Sequence, residues 1–214
     1  MTGEPVAAIA LRTLLVSGAA LVLSVAVGVP AGLALGRRSF PGRRLLVATV
    51  NAGMGLPPVV AGLVVALLLW RSGPLGALGW MYSRKAMVIA QVGIALPLVV
   101  GITLAAVGDL PADFHLQLRA LGVRGARAAW LLVREVRHGI LAAVIAALGG
   151  ILSEVGAVTM VGGNLEGETR VLTTGILMYT QMGLFADALA LAAVLLGLTF
   201  VLAGSLTLIQ QAKP

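Results

Sequence analysis

The length of its uninterrupted apolar runs constrains this chain most: residues 7–35, 45–70, 86–107, 139–161 and 184–209 are each dominated by Ala, Val, Leu, Ile and Gly. About 20 such residues cross the ~30 Å hydrocarbon layer of a bilayer as a helix. In lipid every backbone N–H and C=O must find a partner within the protein, so only helices or closed barrels span, and runs without alternation specify helices. The expected fold is an all-α membrane protein of about five transmembrane helices, a single transmembrane domain over residues 1–214. Charged residues make up 11% of the chain, against roughly 25% in soluble domains, so the apolar content reads as lipid contact. Residues 1–5 carry no basic stretch, and the run after them is too long for a cleaved signal peptide, so it is expected to stay as the first helix. With no cysteine, disulfides and thiolate metal sites are excluded.

The formal charge of +7 would suggest nucleic acid in a soluble protein. Here the cations sit in short gaps between apolar runs, where they set orientation, and no nucleic-acid partner is expected. Arg37, Arg38, Arg43, Arg44, Arg119, Arg124, Arg127, Arg134, Arg137 and Lys213 fall on one side, and Arg71, Arg84, Lys85 and Arg170 on the other; Arg12 lies inside the first run. Ten against four places the N-terminus outside and the C-terminus in the cytoplasm of a multi-pass cell (inner) membrane protein. Residues 171–182 are apolar but too few to cross, so they are expected to be re-entrant or to lie at the surface.

Gly53, Gly55, Gly62, Gly149, Gly150 and Gly156 fall inside the runs and read as packing surfaces, because small residues let helix backbones approach. Pro57 and Pro58 interrupt the second run and Pro97 the third. Such breaks persist where protein or water satisfies the freed carbonyls, so the second helix is expected to be bent, either lining a pathway or simply kinked. Asn51, Met54, Pro57 and Pro58 are its pathway or gate candidates.

Residues 108–138 form the longest polar interruption. Asp109 can cap a short helix with Pro111 in its first turn and Gly122 as its stop. Phe114, Leu118 and Leu121 make an apolar stripe on that helix at i, i+4 and i+7. Beyond a turn at 122–125, residues 126–138 can form a second helix running into the fourth span. The pattern serves equally a docking element and a helix lying on the lipid surface.

The stretch Arg119-Ala120-Leu121-Gly122-Val123-Arg124-Gly125-Ala126, ahead of a glutamate-bearing span, resembles the cytoplasmic loop by which permease subunits of ABC importers engage their ATPases. Gly122 matches the glycine of that loop, while Leu116, Gln117 and Leu118 stand where the family carries Glu-Ala-Ala. Ser153-Glu154-Val155-Gly156-Ala157-Val158-Thr159-Met160-Val161-Gly162-Gly163-Asn164, the stretch Thr169 to Thr174, and Asn51 to Gly62 together resemble the tungstate-type branch of the molybdate, tungstate and sulfate permeases. The resemblance spans about residues 7–209 and implies a type I ABC importer permease. It implies a second copy of this chain, two cytoplasmic ABC ATPase subunits that bind the ATP and Mg, and an extracytoplasmic oxyanion-binding protein. The coupling residues it implies are Phe114, Leu118, Arg119, Ala120, Leu121, Gly122, Val123 and Arg124. Tungstate is the first expectation for the cargo, with molybdate, sulfate or another small solute as alternatives.

Glu154 falls about midway along the fourth run, where a carboxylate is costly and marks function by default. An ionised glutamate suits an anion pathway poorly, so a structural or gating role, hydrogen-bonded to backbone around Ser153 and Gly156, is favoured over substrate contact. A tetrahedral dianion calls for hydroxyls, amides and free N–H groups, which Asn51, Thr159, Asn164, Thr173 and Thr174 provide. For any single threonine, a bond to its own helix carbonyl is favoured over contact with the anion. Arg170 is expected either to attract an oxyanion at the outer mouth or to anchor its segment to headgroups.

His115 and His138 are the sole histidines and stand in no zinc or nucleophile spacing. No Gly-x-x-x-x-Gly-Lys-Ser/Thr stretch occurs, so no cofactor or catalytic site is expected in this chain and nucleotide hydrolysis falls to its partners. A secondary transporter would show paired repeats, which five spans do not allow, and an intramembrane enzyme would need a catalytic cluster.

Overall fold

The computed structural model of the protein describes residues 4–37, 39–111 and 113–211, the side chains of His115 and Arg119 excepted. Arg38 and Lys213 of the charge count, and the side chain of Arg119 among the coupling candidates, lie outside the described residues. In chain order the helices are α1 (Val6–Arg37), α2 (Arg43–Met54), α3 (Pro58–Leu69), α4 (Arg84–Gly108), α5 (Phe114–Ala120), α6 (Gly125–Glu135), α7 (Arg137–Ser153), α8 (Gly156–Gly162), α9 (Leu172–Gln181) and α10 (Phe185–Gln211). Among them, α1, α4 and α10 are each long and apolar enough to cross a membrane alone.

The second run is bent, as its prolines predict, whereas the fourth is not the continuous span the sequence suggested. Between α2 and α3 the axis turns by 106°. Pro57 and Pro58 explain the turn: neither supplies an N–H, and each keeps the residue before it out of helical conformation. The amides of Gly55 and Leu56 close α2 on the carbonyls of Ala52 and Gly53, and Pro58 opens α3. The expected second helix of the polar loop does not run straight into the fourth span, because α6 and α7 meet at 64° about Val136. The fourth run itself breaks at Glu154 and Val155, which separate α7 from α8.

The centre of the bundle is the seam between α1 and α4. A Cβ placed on Gly28 would stand 2.7 Å from Val99, on Gly32 2.7 Å from Thr103, and on Gly36 2.5 Å from Val107. Both series rise by four, so the two helices run parallel, as first and third spans must. Membrane helices gain little hydrophobic driving force from one another, and close backbone approach with dispersion contact replaces it. Ala20, Ala95, Ala147 and Ile151 carry the same tight packing to α7. Gly62 repeats the device between α3 and α8, with the Cα of Ala157 2.5 Å from where its Cβ would be.

Two further clusters set the ends. Val107, Leu132 and Val136 join α4, α6 and the α7 start, with Phe114 packed against them. Gln210 Nε2 donates to the carbonyl of His138, bringing the end of α10 to this same end. At the opposite end Ile9, Leu172, Tyr179, Ala188 and Leu191 join α1, α9 and α10. The beginning of α9 reaches inward, where Leu172 N donates to Thr13 Oγ1 and Thr173 Oγ1 to the carbonyl of Glu154. The segment 171–182 is therefore a half-helix inserted from one end of the bundle, with residues 171–175 buried. Beyond its first two turns α10 leaves Leu196, Phe200, Val201 and Leu208 exposed, a surface suited to lipid.

Candidate functional site

Three interruptions meet in the region where the sequence placed its pathway residues. The carboxylate of Glu154 is 7% exposed, and its Oε1 accepts from the amide of Ala157 at 2.7 Å. The amide that holds it is that of Ala157, one residue beyond the backbone expected to do so. Glu154 thus serves the first turn of α8, whose unpaired N–H groups favour a negative charge. Its own carbonyl, freed by the break, accepts from Thr173 Oγ1 at 3.0 Å. One residue therefore ties α7, α8 and the start of α9. Gly156 sits against Val59, the residue after Pro58, with 2.9 Å between the site of a Cβ and Val59 Cγ2. The start of α3 is thereby brought to the same point.

The remaining candidates divide by surroundings. Asn51, Met54, Pro57 and Pro58 are exposed on the α2–α3 corner, with Met54 Sδ against Gly101 of α4. Thr159 Oγ1 donates to the carbonyl of Val155 at 2.7 Å, and Thr174 Oγ1 to that of Val171 at 3.1 Å. With Thr173 on Glu154, each of these hydroxyl protons is engaged by a carbonyl, so none is left to donate to an anion in this conformation. Asn164 lies farther along, at the α8 end, with φ 51° and its Nδ2 3.3 Å from Met178 Sδ. Its Oδ1 is buried without a partner among the described residues.

Arg170 is neither a mouth cation nor a headgroup anchor: it is buried, with Nη1 3.3 Å from Glu166 and 3.9 Å from Glu4. Arg12, set aside in the charge count, completes the group. Its Nη2 meets Glu4 Oε1 at 2.6 Å, and its Nη1 donates to the carbonyl of Arg170 at 2.6 Å. Burial works against ionisation of Glu4, but hydrogen bonds from Arg12 and the Gly167 amide, with the charges of Arg12 and Arg170, hold its carboxyl below the ordinary value. The group fastens the start of α1 to the loop ahead of α9.

A cavity beyond the end of α3 has no counterpart among the site residues the sequence singled out. Leu69, Trp70, Arg71, Gly79, Met81 and Tyr82 surround a cavity of about 490 Å³. Tyr82 has φ 60°, uncommon for a bulky residue; its amide donates to the carbonyl of Val161, and Trp70 meets its ring edge-on at 6.3 Å. The Trp70/Arg71 pair at the end of an apolar run was the available signal.

At the opposite end α5 leans on the Val107, Leu132 and Val136 cluster through Phe114. Asp109, expected to cap this helix, is the C-cap of α4. The helix instead starts at Phe114, whose amide donates to the carbonyl of Pro111. The expected stripe is split: Phe114 packs inward, Leu118 is half-buried and Leu121 is 77% exposed. Gly122 and Gly125 have φ 70° and 61°, the left-handed conformation that ends the helix and turns the chain toward α6. Ala120 and Arg124 are exposed and Val123 is half-buried.

Residues 28–212 match the family described as binding-protein-dependent transport system inner membrane component. The chain is 43% identical over 191 residues to a probable anion ABC transporter permease protein of Haloferax volcanii, covering 87% of this chain and 82% of that one. It is 35% identical to the tungstate uptake system permease protein TupB of Peptoclostridium acidaminophilum, covering 92% and 86% of the two chains. To the protein of the same name in Campylobacter jejuni it is 32% identical, covering 75% and 67%. A multi-pass chain matched along 28–212, with broken helices meeting at Glu154, belongs to the family of inner membrane components of binding-protein-dependent transport systems.

Proposed function

We propose that this ABC importer permease forms the pathway for a tetrahedral oxyanion, tungstate before molybdate or sulfate. The observation that carries the cargo is the similarity, over most of the chain, to two permeases named for tungstate uptake. In this reading two copies of the chain enclose the pathway, with the N-terminus outside. An extracytoplasmic binding protein delivers the anion to the mouth beside Trp70, Arg71 and Tyr82, and two cytoplasmic ATPases bind ATP and Mg. The domain is the whole chain, with 108–138 as its docking loop.

The ATPases engage α5 through the exposed Leu121 and the turn at Gly122, with Leu118, Arg119, Ala120, Val123 and Arg124 around it. Phe114, seated in the Val107, Leu132 and Val136 cluster, passes their closure to α4 and α6. Asn51, Met54, Pro57 and Pro58 on the α2–α3 corner line the pathway or its gate, with Glu154, Thr159, Asn164, Thr173 and Thr174 around the α8 and α9 starts. Glu154 acts as a gate support rather than a ligand, since its carboxylate already holds an amide and would repel a dianion. Threonine hydroxyls reach the anion only when their carbonyl bonds are exchanged as the half-helices move.

The test is uptake into proteoliposomes holding this chain, its ATPase and its binding protein. Tungstate uptake that molybdate competes weakly and sulfate hardly at all is the expected result. Sulfate uptake indifferent to tungstate would reassign the cargo, and uptake without ATP would overturn the importer reading.

A further inference from the structure

Among the described residues, the two cations that open α4 have no acidic partner. Arg84 and Lys85 are exposed, and neither forms an ion pair among the described residues. Arg84 Nε donates to the carbonyl of Glu168 at 2.8 Å, and the Lys85 ammonium stands 5.1 Å from the centre of the Trp80 ring. Both occupy the first turn of a 25-residue helix, where the helix dipole already disfavours positive charge.

Directly inward of them a groove of about 360 Å³ runs between α1 and α4, walled by Leu15, Ala19, Val88 and Ile89 and flanked by Trp80. From Arg84 to Ile89 the helix rises roughly 7 Å, so the groove lies immediately beneath the cations. A free inorganic anion would use the cations and leave the hydrocarbon walls without purpose. A neutral lipid or apolar peptide would fill the groove and leave two charges unmet. Tryptophan, for its part, settles at headgroup depth. Only a ligand with an anionic head and a hydrocarbon tail satisfies all three features.

We propose that this groove binds one anionic phospholipid, its phosphate held by Arg84 and Lys85 and the upper part of one acyl chain lying along Leu15, Ala19 and Ile89. The lipid belongs to the leaflet at the α4 N-terminus, and it neutralises the end of α4 that is fastened to the loop ahead of α9 through Glu168.

The full-length chain, purified in neutral detergent, is titrated with phosphatidylglycerol or phosphatidylcholine and followed by native mass spectrometry and thermal unfolding. Phosphatidylglycerol is expected to bind about thirtyfold more tightly, as two interfacial cations predict, with a saturable rise in Tm. Lys85→Ala, which keeps the Arg84–Glu168 contact, should lose most of that preference. Ala19→Trp, on an exposed position, should fill the groove and remove the bound lipid with both cations intact. Equal binding of the two lipids overturns the proposal, as does unchanged preference in both variants. Competition by glycerol 3-phosphate as effective as phosphatidylglycerol would also overturn it, leaving an anion site only. So would loss of self-association without loss of lipid, which would make the groove a contact between copies.

Discussion

The carboxylate of Glu154 and the amide of Ala157 are joined by a 2.7 Å hydrogen bond across the break between α7 and α8. A carboxylate at membrane depth is costly unless something meets its charge, and here the start of a half-helix does. Two of the groups the break frees are used here: the Ala157 amide by this side chain, the Glu154 carbonyl by Thr173.

Glu154→Gln keeps an acceptor for that amide, while Glu154→Ala leaves it buried and unpaired. The alanine variant should lose about 1–3 kcal/mol of stability and the glutamine variant much less. Thermal unfolding of the purified chain measures the first difference, and uptake in the reconstituted importer the second. Glutamine is expected to retain uptake; a glutamine variant that folds normally yet transports nothing would show that the charge itself is needed.

Gly32 of α1 lies against Thr103, with the carbonyl of Val100 2.8 Å from where a Cβ would stand. That neighbour is backbone and cannot rotate away, so Gly32→Ala must spread α1 from α4 at a cost of about 1–3 kcal/mol. Gly18→Ala on the same helix meets nothing within 4 Å and serves as the control. A drop in Tm for the first variant and none for the second is expected.

The sequence was informative where local chemistry decides the outcome and silent where packing does. Apolar length identified α1, α4 and α10, and Pro57 and Pro58 marked the corner that became a 106° turn. The break at Glu154 has no proline; its freed carbonyl is taken by Thr173 from another segment, which spacing along the chain does not reveal. The stripe of Gly28, Gly32 and Gly36 is legible in its four-residue spacing, as much as the glycines of the later runs. Arg12 and Arg170 misled because a cation in a loop or span was counted singly, whereas Glu4 pairs with both. At α5 the stripe treated all three apolar residues alike, and only tertiary contact divides Phe114, packed inward, from Leu121.

Acid should weaken the fastening of α1 to the α9 loop. The Glu4 carboxyl is held below its ordinary value of 4.5, so its ionised form stabilises the fold. That contribution is complete above the unfolded value and disappears as pH falls through the lower folded value. Wild type and Glu4→Gln should therefore differ most in Tm near neutrality and converge as pH drops below about 4.5. A gap that stays constant from pH 7 to pH 3 would count against the ion pairs as its source.

The docking reading rests on a helix whose outer face is Leu121 and whose end is a left-handed glycine. Gly122 has φ 70° and nothing within 4 Å of where a Cβ would stand, so a substitution there changes backbone preference without a clash. Valine in this conformation costs about 1–2 kcal/mol and should shift the turn, whereas asparagine adopts it readily. Gly122→Val is therefore expected to insert normally but to hydrolyse ATP without matching uptake, with Gly122→Asn remaining coupled. Leu121→Ala removes an apolar contact from an exposed position and should lower coupled uptake several-fold while leaving the Tm of the isolated chain unchanged, because no packing inside the chain depends on it. Both readouts come from proteoliposomes containing the chain with its ATPase and binding protein. Full coupling in Gly122→Val and Leu121→Ala alike would remove α5 from the ATPase interface and leave it a helix on the lipid surface.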